Sequence, residues 1–85
     1  MKLEKLTKKL LTYFDETELK IINNSEIHKH HSGYSDGESH FLIIISSDKV
    51  NNMKPLEKHR LVLSLIGKEL NESIHSIEIS FNKIA

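Results

Sequence analysis

Cysteine and tryptophan are absent from this 85-residue chain, proline occurs once and glycine three times, and twelve basic residues cancel twelve acidic ones. Each shortage excludes something. Without cysteine there is no disulfide, no thiolate nucleophile and no Cys-only metal cage, so an iron or zinc site must use His, Asp or Glu, or borrow ligands from a partner. With so little glycine there is no Gly-rich phosphate loop, and neither a nucleophile elbow nor a sheltered pair of acids takes its place, so the chain does not read as an enzyme. Three phenylalanines and two tyrosines supply no aromatic platform for stacking bases. A net charge of zero gives no overall field that favours nucleic acid or an anionic membrane, although it leaves room for a local basic patch. No apolar run approaches the length of a bilayer span, and the opening Met-Lys-Leu-Glu-Lys-Leu-Thr has no continuous apolar segment. That is the pattern expected of a cytoplasmic chain without membrane contact.

What is present fits a single domain over residues 1–85, large enough for one small core. Its centre is His40-Phe41-Leu42-Ile43-Ile44-Ile45-Ser46, an apolar, β-branched run that reads as a strand buried on both faces and paired on both edges. Leu3, Leu6, Leu10, Leu11 and Phe14 recur at helical spacing, with Lys2, Lys5, Lys8 and Lys9 largely opposite them as a solvated face. Leu19 to Asn23 has the length and composition of a first strand. Residues 24 to 39 are polar and carry His28, His30 and His31, as in a long hairpin connection of the kind that is usually mobile or functional. Pro55 suits the first turn of a second helix, where its missing N–H has no intrahelical partner. That helix is expected to run from Pro55 to Leu70, burying Leu56, Leu63, Ile66 and Leu70 with Val62, and presenting Lys58, Arg60, Lys68 and Glu69 to water. His75 to Phe81 alternates strictly, so Ile77, Ile79 and Phe81 should face the helices while Glu78 and Ser80 face solvent.

The expected fold is therefore α+β, a single αββαβ domain. A hairpin makes strands one and two antiparallel, while a helical crossover from strand two to strand three makes a parallel pair, right-handed by the usual rule. The result is a three-stranded mixed sheet of order 1-2-3 with helices packed on one face. Because strands two and three run the same way, His40 and His75 fall at the same end, where the loop bearing His28, His30 and His31 also lies. His59, early in the second helix, falls near the other end.

Glu38-Ser39-His40-Phe41 before an apolar strand, Ser47-Asp48 after it, Lys58-His59-Arg60-Leu61-Val62, and Ile74-His75-Ser76 together resemble the BolA family over nearly the whole chain. The resemblance implies the same αββαβ architecture, akin to a type II KH domain. It also implies a BolA-like adaptor that pairs with a monothiol glutaredoxin and its glutathione to bind or transfer a [2Fe-2S] cluster in iron-sulfur homeostasis. The alternative it implies is a DNA-binding transcriptional regulator of the stress-response type. In the family, the His opening the third strand and a His or Cys of the hairpin loop serve the cluster. This maps onto His75 and onto His30 or His31, with His31 favoured by counting back from Glu38-Ser39-His40. Isolated, such a chain is expected to be a monomer without cofactor. Family members commonly place Phe and Gly in the turn before the second helix, where this chain has Val50 and Asn52. Asn tolerates a left-handed backbone, so the turn is expected to survive with its aromatic packing lost.

Imidazole is a good ligand for iron, and a [2Fe-2S] centre can carry His on one of its irons. Two ligands make half a site, and with no cysteine here the thiolates would come from the glutaredoxin and glutathione. A His-rich loop alone is more often solvated than metal-binding. His40 reads first as a core histidine bonded to a neighbouring carbonyl, and His59 with Arg60 as a surface arrangement. Asp36 and Glu38 beside the histidines are compatible with a small hydrolytic zinc site, a weaker reading. For DNA, the Gly-x-x-Gly clamp of KH domains is missing, which leaves Lys54, Lys58 and Arg60, with Lys49, as the patch that could contact phosphates.

Overall fold

The structure, a computed structural model, describes residues 2–24 and 40–82. Helix α1 (Lys2–Leu10) buries Leu6 and Leu10. Past its end, the amide of Phe14 still donates to the Leu10 carbonyl at 2.9 Å, which carries the Phe14 ring into the core. Leu11 does not belong to this stripe and is 42% exposed. At 3.6 residues per turn it lies about 100° around the axis from Leu10. A short 3-10 turn (Glu16–Glu18) leads into β1 (Leu19–Asn23), and β2 covers His40–Ile45. β1 and β2 pair antiparallel with Ile21 opposite Ile43, and β2 pairs parallel with β3 (Ser76–Ser80), Phe41 beside Ile77 and Ile43 beside Ile79. The sheet order is β1-β2-β3, the order derived from connectivity.

The core forms on one face of this sheet. Phe41, Ile43 and Ile45 are buried against Leu6, Leu10, Phe14, Val62, Ile66, Leu70 and Ile74, with Leu19, Ile21, Ile77, Ile79 and Phe81 packed around them. Alternation in β3 is as expected for the core-facing residues. Glu78 is exposed, whereas Ser80 is half-buried. The central strand departs from the expectation of two buried faces: Leu42 and Ile44 are only half-buried and stand outside the core. Their row neighbours are Ile22 and Glu78 beside Leu42, and Lys20 and Ser80 beside Ile44. The apolar run is thus a one-faced strand.

The second helix also differs. It is broken into α2 (Pro55–Ile66) and α3 (Lys68–Ser73) at Gly67, whose φ of 87° and ψ of 152° lie in a region open essentially only to glycine. Leu70 therefore follows a different axis and no longer fixes the phase of the longer helix. Val62 and Ile66 centre its buried face, flanked by Leu61 and Leu65, while Leu56 is 58% exposed and Leu63 stays half-buried outside the core. Before α2, Ser47 caps a 3-10 turn (Asp48–Val50) by accepting the Lys49 amide at 3.2 Å. Val50 is buried. No non-glycine residue among those described has positive φ, so Asn52 is not called on for a left-handed backbone. No helix among the described residues is long and apolar enough to cross a membrane.

Candidate functional site

The parallel β2–β3 pair decides what meets at the head of the sheet. His40 lies in register with Ser76, and His75 immediately precedes it. The two imidazole rings stand 5.0 Å apart, centroid to centroid, tilted by 59°. Their environments are opposite: His40 is 7% exposed, whereas His75 is exposed at the rim. The Asn24 amide donates to the His40 carbonyl at 2.8 Å, so β1 is held against β2 to the last residue before the connecting segment. Both ends of that segment, which carries His28, His30 and His31, are thereby held at the head of the sheet, the His40 end directly beside His75. The loop histidines themselves lie outside the described residues. Among those described, no group of three or more His, Asp or Glu side chains could hold a metal ion, so His75 with His40 offers at most part of a coordination shell.

The opposite end of the sheet is where Lys58 lies. A cleft of about 320 Å³ opens there between Glu18, Ile45, Ser47, Asp48, Lys58 and Phe81. The Lys58 ammonium is held 4.8 Å over the Phe81 ring, a cation–π contact, and its side chain is half-buried rather than facing water as expected. Lys54, His59 and Arg60 are exposed. Lys49 is engaged as well: its Nζ donates to the Tyr13 carbonyl and lies 3.7 Å from the Glu18 carboxylate. The Asp15 amide donates to Glu18 Oε1 at 3.0 Å. That backbone bond first, then the Ser47 hydroxyl and the charge of Lys49, holds the Glu18 carboxyl below its ordinary value. Of the proposed phosphate-contacting patch, Lys54 and Arg60 therefore remain accessible and Lys58 is partly occupied.

The sequence reading brought His40 and His75 to one end by strand direction alone. It missed a second feature, a basic cleft in which Lys5 and Lys9 of α1 meet Lys68 of α3. No spacing reveals a cluster joined only by tertiary packing.

An αββααβ chain with a mixed three-stranded sheet, helices on one face and a histidine pair at the sheet's head is a small α+β domain. The family model of BolA-like proteins matches residues 10–83. A relative from Vibrio cholerae, named as the DNA-binding transcriptional regulator BolA, is 35% identical over 74 residues, which span 87% of this chain and 67% of that protein. Among solved structures, BolA1 from Arabidopsis thaliana superposes with a TM-score of 0.76 at 28% identity, covering 95% of this chain and 89% of that one. The BolA domain of SufE1 from the same plant gives 0.72 at 27% identity, covering 94% and 88%. The chain belongs to the BolA family. The Vibrio relative carries the name of a regulator, not of an enzyme.

Proposed function

We propose that this chain is an adaptor that pairs with a monothiol glutaredoxin and glutathione to hold or pass on a [2Fe-2S] cluster, with His75 as its principal ligand and one of His30 and His31 as the second. The observation that carries this reading is the position of His75: exposed, at the head of β3, beside the strand ends that anchor the histidine-bearing segment. The donor chemistry fits half a site. Neutral imidazole suits one iron of a [2Fe-2S] centre, and a chain with no cysteine must obtain its thiolates from elsewhere. His59 takes no part, being on α2 with Lys58, whose neighbours belong to the other end of the sheet.

The test is to purify the chain with a coexpressed monothiol glutaredoxin and record visible absorption and circular dichroism. The expected result is a cluster spectrum distinct from that of the glutaredoxin alone, strongly perturbed by His75→Ala, mildly by His31→Ala if His30 substitutes, and not at all by His59→Ala. A mixed spectrum identical to that of the glutaredoxin alone overturns the proposal.

A second reading rests on the name of the Vibrio relative and on the exposed Lys54 and Arg60: a DNA-binding regulator that contacts phosphates at the start of α2. The first reading ranks above it because the patch is small and the chain as a whole is neutral.

A further inference from the structure

A cleft of about 400 Å³ lies between α1 and the break that separates α2 from α3, lined by Lys5, Lys9, Ile66, Gly67, Lys68, Glu69, Leu70 and Ser73. It is at the low end of the size range of small-ligand sites. Lys5, Lys9 and Lys68, all exposed, line it with a single acid, Glu69, and among the described residues none of these four makes a hydrogen bond or ion pair through its side chain. Elsewhere the lysines that meet an acidic or aromatic neighbour use it: Lys49 pairs with Glu18 and Lys58 sits over Phe81. In a chain of zero net charge, a cationic hollow of this kind is a local source of positive potential that low-dielectric walls sharpen.

The walls are built by the helix break. Gly67 bends the chain so that Lys68 follows on a new axis facing α1. The Lys9 ammonium lies 3.8 Å from where a Cβ on residue 67 would stand. Ile66 and Leu70 lie behind the cleft at 0% and 8% exposure, so its accessible carbon is that of the methylene stems of Lys5, Lys9 and Lys68. The lining therefore combines a net positive charge of two (three lysines less Glu69) with aliphatic stem carbon.

We propose that this cleft binds a small soluble phosphate monoester carrying a compact apolar body. Such a head carries about −1.5 to −2 charge at neutral pH, which matches the lining, and point-charge ammonium groups are suited to a phosphate oxygen shell. Ser73 is also at the rim, but its hydroxyl already donates to the Leu70 carbonyl at 2.7 Å and supplies no donor to a phosphate, so binding rests on the lysines.

The test is an amide-resolved NMR titration of the full chain with hexyl phosphate, inorganic phosphate and phosphatidylglycerol vesicles as probes. Hexyl phosphate is expected to shift the signals of Gly67, Lys68 and Leu70 saturably and to bind at least fivefold more tightly than inorganic phosphate. The paired change Lys9→Gln with Lys68→Gln should weaken it at least tenfold, while Lys8→Gln, outside the cleft, should leave it within twofold. Equal affinity for inorganic and hexyl phosphate, equal loss with Lys8→Gln, or binding only to the vesicles each overturns the proposal. The readout is independent of any glutaredoxin, so its outcome is separate from that of the cluster reading.

Discussion

The His40 and His75 rings lie 5.0 Å apart, yet one is 7% exposed and the other stands in solvent. Contact between a buried and an exposed side chain separates structural from functional consequences. His40→Ala removes a ring from a packed site and should destabilise the domain by about 1–3 kcal/mol. His75→Ala removes an exposed ring and should leave the urea midpoint nearly unchanged while it perturbs the cluster spectrum. Equal loss of stability in both variants would show that His75 is a packing residue and would remove the ligand assignment.

Gly67 is the hinge of the helical layer. Its φ of 87° and ψ of 152° are reached by L-residues only with strain of about 1–3 kcal/mol. Gly67→Ala should lower stability by that amount even though the added Cβ would meet nothing closer than the Lys9 ammonium at 3.8 Å. The cost is thus conformational, not steric. A D-alanine at 67, introduced by chemical synthesis, should restore the midpoint, and failure to do so would refute the conformational cause.

The strands and their order were legible because period, strand length and connection type each leave a local mark. β1, the antiparallel β1–β2 pair and the parallel crossover to β3 follow from Leu19 to Asn23, the polar segment before His40 and the helix after Pro55. The break at Gly67 was not legible. A single glycine inside a periodic helical run is usually tolerated, and the Leu56, Leu63 and Leu70 spacing suggested continuity. The same continuity places Leu56 on the buried face, whereas it is 58% exposed. Five consecutive apolar residues look alike whether one or two faces are covered, so nothing in the run marks Leu42 and Ile44 as half-buried. The convergence of His40 and His75 could be read from strand direction, whereas Lys5, Lys9 and Lys68 meet only through helix packing.

Glu18 is held ionised by the Asp15 amide, then by the Ser47 hydroxyl and the charge of Lys49, which keep its carboxyl below the ordinary value. A lowered native pKa adds stability above the unfolded-state value, about 4.3 for Glu, and that stability is lost as the pH falls through the native value. Glu18→Gln should therefore be less stable than the parent at pH 7. The difference should shrink as the pH drops below the ordinary Glu range and vanish beneath the native pKa. A pH-independent difference in urea midpoints would mean that the carboxylate charge is not what matters.

Ile43 and Ile79 are neighbours across the parallel pair, but Ile43 is fully buried and Ile79 only half-buried at the edge strand. Truncating Ile43 to Ala should cost about 2–5 kcal/mol. Ile79→Ala should cost about 1–2 kcal/mol, since less apolar surface returns to water. Unchanged midpoints for Ile79→Ala would contradict the inward register of β3, and a larger loss there than at Ile43 would contradict the central position of β2.

The last prediction concerns DNA. With Lys58 held over Phe81, Lys54 and Arg60 are the accessible cations at the start of α2. Two phosphate contacts give a slope of log affinity against log salt of about −1.8 on duplex DNA, or roughly a tenfold loss between 50 and 200 mM salt. Binding should be weak at physiological salt and indifferent to sequence, and Arg60→Ala should reduce the slope by about one. Lys58→Ala should change the slope less, because its charge is already placed over a ring. Fluorescence anisotropy on random and palindromic duplexes across a salt series measures all of these. Tight binding to one sequence at physiological salt, abolished by Arg60→Glu, would instead raise the regulator reading above the adaptor reading, because two phosphate contacts alone carry no sequence information.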